Sequence, residues 1–427
     1  MLSLVLVFCL VMFIVGLIFE KKKLNPITLF FGEWTIILYL ASLNLFNIIS
    51  AQQSTYQIIF IGVLAFAVGF YLYNIFSKKI TLFYRPSKTF YINKRWILIV
   101  GIISIIFFSF DFFKSLPSLL HGQSLGIMRQ DAQSGVLFSN PLLNAIRIII
   151  ATPFSWAITA VAAANLFSKD RKKWLLVMAS IIILMRVLSD GGRSVAIFFI
   201  LSLIVSYSYT NTSRKNKGKS KFKIVALLIL GFILLYGVTI SRSGDNTQRF
   251  TYYYFAMEPI MAEKWMNIIQ NNGLIGYGMA SFNGILFAFF YLTTNIFQLG
   301  SYPVFWKQIY DTIEGFGTQW QIITTTGSTA NSYVSIFTTF YLDGRIIGVV
   351  LGMLIYGLWI AYIYNKCLRN RTEHNIAIYS FSLIGVFYTF QQFIFQNIYY
   401  AIGFIMLVFF MYKKEKMNNN EGISSNT

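Results

Sequence analysis

The sequence predicts an all-α, polytopic integral membrane protein of about 11 transmembrane helices, with its N-terminus outside and its C-terminus cytoplasmic. Three observations predict it. Of 427 residues, 56% are apolar and only 12% are charged, about half the charged share of a soluble domain. Apolar runs of about 18 to 25 residues, the length that crosses a bilayer, recur from end to end. Between them the basic residues fall in alternate segments, the pattern of the positive-inside rule.

Residues 2–19 form the first run, which ends in Glu20, Lys21, Lys22 and Lys23. A signal peptide carries its basic region before the apolar core, the reverse of this order, so the segment reads as a retained helix. Further runs cover 27–49, 57–76, 96–113, 139–167, 174–190, 194–210, 224–241, 345–364, 376–393 and 397–412. The basic segments at 21–23, 78–95, 169–173, 214–223, 366–371 and 413–416 hold 25 of the 35 Lys and Arg. Cytoplasmic placement of all six agrees with an odd number of spans. The chain then divides into a first bundle at 1–241 (spans 1 to 8), an extracytoplasmic section at 242–344, a second bundle at 345–412 and a cytoplasmic tail at 413–427.

The formal charge of +20 resides almost wholly on the cytoplasmic segments, so it reports topology and gives no reason to expect a nucleic-acid partner. Cys9 and Cys367 fall on segments that cannot meet in an oxidising compartment, so no disulfide framework is expected. His121 and His374 fall on opposite faces, and no CxxC or HExxH spacing occurs, so neither a metal site nor a cofactor is expected.

Ten basic residues remain on the outer side, and seven of them are arginine, whereas the cytoplasmic segments favour lysine. A guanidinium is a planar, permanently charged fork that grips phosphate or carboxylate through two parallel hydrogen bonds. The excess points to a phosphate-bearing ligand outside. Arg147 and Arg186 lie within apolar runs, where an unpaired charge costs several kcal/mol. Asn140, Asn144 and Arg147 follow i, i+4, i+7 spacing and predict a polar stripe on the fifth span, hence a cavity. Arg186 and Asp190 are i, i+4 neighbours before the Gly191-Gly192-Arg193 turn; they read either as an internal ion pair in a tight hairpin or, with Arg193, as part of the outer cavity.

The section at 242–344 opens with Arg242, Asp245 and Arg249, followed by Tyr252, Tyr253 and Tyr254, which read as interface anchors or as carbohydrate-stacking rings. Glu258 and Glu263 follow. Residues 279–299 are apolar enough to enter the membrane, and parity favours a re-entrant or interfacial segment over a full span.

The whole chain resembles the Wzy-type oligosaccharide repeat-unit polymerases that extend bacterial O-antigen or capsular polysaccharide. Three stretches carry the resemblance: Asp190 to Ser194 with its Gly-Gly-Arg; Gly276, Tyr277, Gly278 with Phe282, Asn283, Gly284; and Asn331, Ser332, Tyr333 leading to Phe340, Tyr341, Leu342, Asp343, Gly344, Arg345 and Gly348. The family usually has a residue between this Asp and Gly, which adjoin here.

The resemblance implies a membrane glycosyltransferase of the bacterial plasma (inner) membrane. Such an enzyme moves a growing glycan from one polyprenyl diphosphate to the terminal sugar hydroxyl of another lipid-linked repeat unit. It uses no cofactor, and a chain-length regulator protein is an expected partner. Under this reading Arg147, Arg186, Arg193, Arg242 and Arg249 bind the substrate diphosphate, with Asn144, Asp190, Asp343 and Arg345 in support. A diphosphate is already a good leaving group and needs charge stabilisation. The acceptor hydroxyl needs a base, for which Asp245 or Glu258 is favoured because they share the outer section with the arginines. Alternatives are an O-antigen ligase, which has the same topology, and a flippase or transporter of the lipid-linked sugar. Transport requires polar lining into the cytoplasmic half, where Glu33, near the cytoplasmic end of the second span, is the only clear charge.

Overall fold

In the computed structural model, residues 1–80, 90–120, 140–190, 194–210 and 247–414 are described. The eighth apolar run, at 224–241, lies outside them. The fold is helical apart from two small two-stranded sheets. In chain order the helices are α1 Leu2–Phe19, α2 Pro26–Ser42, α3 Gln53–Ile80, α4 Lys94–Leu120, α5 Pro141–Leu166, α6 Lys173–Asp190, α7 Ser194–Tyr209, α8 Thr247–Ala256, α9 Glu258–Asn271, α10 Asn283–Tyr291, α11 Val304–Thr318, α12 Ser335–Arg369, α13 Glu373–Phe387 and α14 Ile398–Phe409.

Among the described residues five helices, α1, α3, α4, α5 and α12, are long and apolar enough to cross a membrane. The expected count of 11 is thus met only in part. The apolar helices α2, α7 and α14 have 17, 16 and 12 residues, short of the roughly 20 that span hydrocarbon. The tenth and eleventh runs are shortened by a polar break. Gln391, Gln392, Gln396 and Asn397 interrupt them, and the Asn397 side chain caps α14 by accepting from Tyr399 N at 2.9 Å. Irregular backbone of this kind survives in a bundle because protein groups satisfy it. Val334 N donates to Gln391 O at 3.1 Å, and the Asn283 amide donates to Gln396 O at 3.2 Å.

The core joins both ends of the chain. Helix α12 crosses α3 so closely that a Cβ at Gly69 would stand 2.2 Å from Leu354 O and one at Gly357 2.4 Å from Phe66 O. Small residues at such a crossing let two backbones pack directly. Aromatic rings fill the adjoining space, with Trp34 against Phe337 at 4.8 Å and Phe30 against Phe66 at 4.2 Å.

Helix α12 begins at Ser335, ten residues before the expected start of the ninth span. It breaks at Gly344 (φ −167°, ψ 30°) and Arg345 (φ 55°, ψ −141°). The 335–343 piece turns back against the rest of the helix. Gly348 permits this, since a Cβ there would lie 2.2 Å from Phe340 O.

Among the described residues, Lys22, Arg369 and the 412–414 strand lie in contacts that tie neighbouring basic segments together. β1 Phe90–Ile92 pairs antiparallel with β4 Tyr412–Lys414, Lys22 Nζ donates to Ser208 O at 2.9 Å, and Arg369 donates to Ser77 O at 3.4 Å. Residues 44–52 meet the 247–330 region. Ile49 N donates to Ile323 O at 2.9 Å, and Tyr252 OH donates to Leu40 O at 2.8 Å. Gln52 N donates to the Glu263 carboxylate. β2 Gln321–Ile322 and β3 Thr329–Ala330 form a hairpin there. Helix α10 has nine residues, too few to cross hydrocarbon.

Candidate functional site

Arg147 sits where α5 departs from α-helical geometry, in a π turn at Ile146–Ala151. The three residues at i, i+4, i+7 spacing have separate partners. Each polar residue has its own task. Asn140 caps the helix, accepting from Leu142 N at 2.8 Å. Asn144 lies beside the Tyr291 hydroxyl. Arg147 pairs with Asp111 of α4, Nε and Nη2 each 2.9 Å from Oδ2. An isolated charge in an apolar helix is costly, and this pair removes the cost. A guanidinium has five N–H donors, and the pair uses two.

Arg186 of α6 faces the same side of α4. Its Nη1 donates to Ser155 Oγ at 2.8 Å, and its guanidinium lies 5.5 Å from both the Phe108 and Trp156 ring centroids. Phe108 and Asp111 are three residues apart on α4, so the tertiary structure brings Arg147 and Arg186 against one helix face. Asp111 was missed as a site residue in the sequence. The signal that could have found it is a single carboxylate in an apolar run, followed by a single arginine in the next.

Of the remaining predicted residues, Arg193, Arg242 and Asp245 lie outside the described residues, and Asp190 is described only as the last residue of α6. Arg249 is in α8, 5.7 Å from the Phe250 centroid, with a buried Nε that makes no hydrogen bond.

Glu258 begins α9, at a bend after α8. Pro259 accounts for the bend, because it lacks the N–H that would continue the ladder. The Glu258 carboxyl is fully buried, and burial pushes it up to about 8. It does not line the groove described next.

Asp343 organises the turn that carries the Gly-Tyr-Gly stretch. Its Oδ1 accepts from Ala280 N at 2.8 Å and its Oδ2 from Ser281 N at 2.9 Å. Ser281 Oγ also donates to it. Gly276 N donates to Leu342 O at 2.8 Å and Tyr277 N to Asp343 O at 2.9 Å. Two stretches some sixty residues apart thus become one unit. Arg345, next to the break, donates to Ile269 O at 3.1 Å and lies 5.3 Å from the Tyr341 centroid, while its Nη1 is buried without a partner.

From this unit a groove of about 530 Å³ runs along α12. Gly278, Ser281 and Asp343 form its polar end, while Trp359, Phe395 and Phe404 line its apolar length. Its flank is open, with Ile347 71%, Leu351 53% and Ile355 61% exposed. An apolar trough with one polar end suits a long-chain amphiphile.

Comparison with protein-family models, with curated proteins and with solved structures gives no match to this chain.

Proposed function

We propose that this protein is a glycan repeat-unit polymerase acting on polyprenyl-diphosphate-linked oligosaccharides at the outer face of a bacterial plasma membrane. The observation that carries the reading is the groove along α12, apolar over its length and ending at the Asp343–Ser281 turn. The isoprenoid tail occupies the apolar length and the sugar lies towards the turn. Two of the motif stretches behind the family resemblance meet at that polar end, which supports the same reading. The positive-inside rule supports a cytoplasmic Lys-rich end, and the reading takes the turn to lie on the outer side.

The reaction is displacement at the anomeric carbon. The acceptor hydroxyl oxygen forms the new glycosidic bond, its proton goes to a base, and the polyprenyl diphosphate leaves with the bonding electrons. Arginines stabilise the charge that grows on the leaving group. Arg147 and Arg186, held against α4, and Arg249 in α8 are the described candidates, and Arg193 and Arg242 complete the set inferred from sequence. For the base we favour Asp245 over Glu258, whose carboxyl is sealed in the bundle.

A strain lacking the protein tests this through its surface glycan. Single repeat units on each anchor are expected. Lipid-linked polymer without attachment would indicate a ligase instead. A complete loss of surface glycan would indicate a flippase, a reading favoured by one observation: the Glu33 carboxyl in α2 has electrostatic contact with Glu258. Glu33 is therefore not the isolated charge of the cytoplasmic half that the sequence suggested.

A further inference from the structure

Helix α2 is apolar except at Glu33, and the packing around it leaves that carboxyl buried. Trp34 fixes the helix in place, packing against Phe337 at 4.8 Å with tilted rings and donating to Thr389 Oγ1 at 3.4 Å. Phe337 belongs to the first turn of α12, so the start of that helix and the α8–α9 bend converge on one side of α2. Glu258 stands at the bend.

Both carboxyls are more than nine-tenths buried. Neither oxygen of Glu33 nor either oxygen of Glu258 has a hydrogen-bond partner. The two groups are in electrostatic contact. Among the described residues no Lys or Arg offsets the charge of either one. Two ionised carboxylates cannot remain so placed, because each needs compensation when removed from water and each repels the other.

Other unpartnered oxygens face the same space. The Tyr356 hydroxyl is buried without a partner and senses the Glu33 charge. Ser335 Oγ, fully buried, lies beside the Glu258 carboxyl without a well-formed hydrogen bond. Tyr388 also faces Glu33, while Tyr56 faces Glu258 and, more weakly, Glu263. Among the described residues the surroundings therefore contribute oxygens and no positive charge.

We propose that Glu33 and Glu258 form a buried site for one exchangeable monovalent cation, a proton or Na⁺. Oxygen donors suit a hard cation. The described residues contain no group of three metal-ligating acidic, His or Cys side chains, so the set is sparse for a divalent ion. An ionisable residue within a membrane helix marks an ion or proton pathway by default, with its partner as the second element. The site goes beyond the polymerase reading and does not depend on it.

The test uses the full-length protein in lipid nanodiscs, comparing wild type with Glu33→Gln, Glu258→Gln and the double variant. The thermal midpoint is measured against Na⁺ at pH 8.5, with choline holding ionic strength constant, and against pH from 5 to 9 without Na⁺. If Na⁺ is the ligand, the wild-type midpoint rises by about 3 °C at a hundredfold excess over the dissociation constant, and ²²Na⁺ binds one per chain. If the ligand is a proton, Na⁺ has no effect and the midpoint falls as pH rises. The sign follows from a folded carboxyl that holds its proton up to about 8 while the unfolded one releases it near 4.5: stabilisation is complete below the lower value and is lost as pH passes the upper.

Either dependence should be flattened in the Gln variants. A wild-type midpoint indifferent to both cations would overturn the proposal, as would a double variant with the full wild-type dependence. The wild-type titrations decide the question even if a variant fails to insert. Glycan length is not read, so the outcome is independent of the polymerase assignment.

Discussion

Arg147 and Asp111 tie the fifth apolar run to the fourth, with both Nε and Nη2 of the guanidinium 2.9 Å from Asp111 Oδ2. The side chains are 17% and 5% exposed, so the acid is sealed and the arginine retains access to a neighbouring ligand. Removing the arginine alone takes a charged partner from a buried carboxylate, which destabilises the fold. Arg147→Ala is expected to lower the thermal midpoint in detergent and to give short glycan. Asp111→Asn combined with Arg147→Gln should restore the midpoint while the glycan stays short. Restored length in the double variant would make the arginine purely structural.

Arg186 stacks its planar guanidinium near Phe108 and Trp156 and donates to Ser155. Lysine keeps the charge but loses the fork and the flat face. Arg186→Lys is therefore expected to reach the membrane at wild-type abundance yet lower elongation by about 10- to 100-fold, for a loss of about 1.4 to 2.7 kcal/mol. The check is the modal chain length on a glycan gel beside an immunoblot of membranes. Full-length glycan from Arg186→Lys would remove Arg186 from the diphosphate clamp.

Asp343 holds the Ala280 and Ser281 amides and the Ser281 hydroxyl. Hydrogen bonds to a charged acceptor contribute about 1.5 to 3 kcal/mol each. Asp343→Ala should free the turn at the groove's end, with faster amide exchange at 278–282 and loss of long glycan. Ser281→Ala removes one donor and leaves both backbone bonds, so its effect should be milder in each measurement. Equal effects from the two variants would contradict the clasp.

The groove along α12 can be filled from its open side. Leu351 and Ile355 point outward, 53% and 61% exposed, so a larger side chain there has room without disturbing the core. Leu351→Trp and Ile355→Trp are expected to insert normally, shorten the glycan and weaken photo-crosslinking by a polyprenyl-phosphate probe. Gly348→Leu serves as the contrast, since its side chain would strike Phe340 O and should reduce the amount of folded protein. Unaltered crosslinking in both Trp variants would place the lipid elsewhere.

The sequence by itself determined what depends on local composition: that the chain is helical and apolar enough for a membrane, where the basic segments fall, and that arginines intrude into apolar runs. It also pointed to Asp343 and to the glycine-rich turn through their motif residues. Which arginine meets which acid was decided only in three dimensions, because Arg147 and Asp111 lie on different helices that meet by packing. The same holds for Glu33 and Glu258, 225 positions apart in the chain. Burial without partners can be read only after α2, the Pro259 bend and the start of α12 have packed together. Periodicity places a residue on a face of its own helix, but close approach between helices is set by packing at glycines such as Gly69 and Gly357, and that is a property of the assembled bundle.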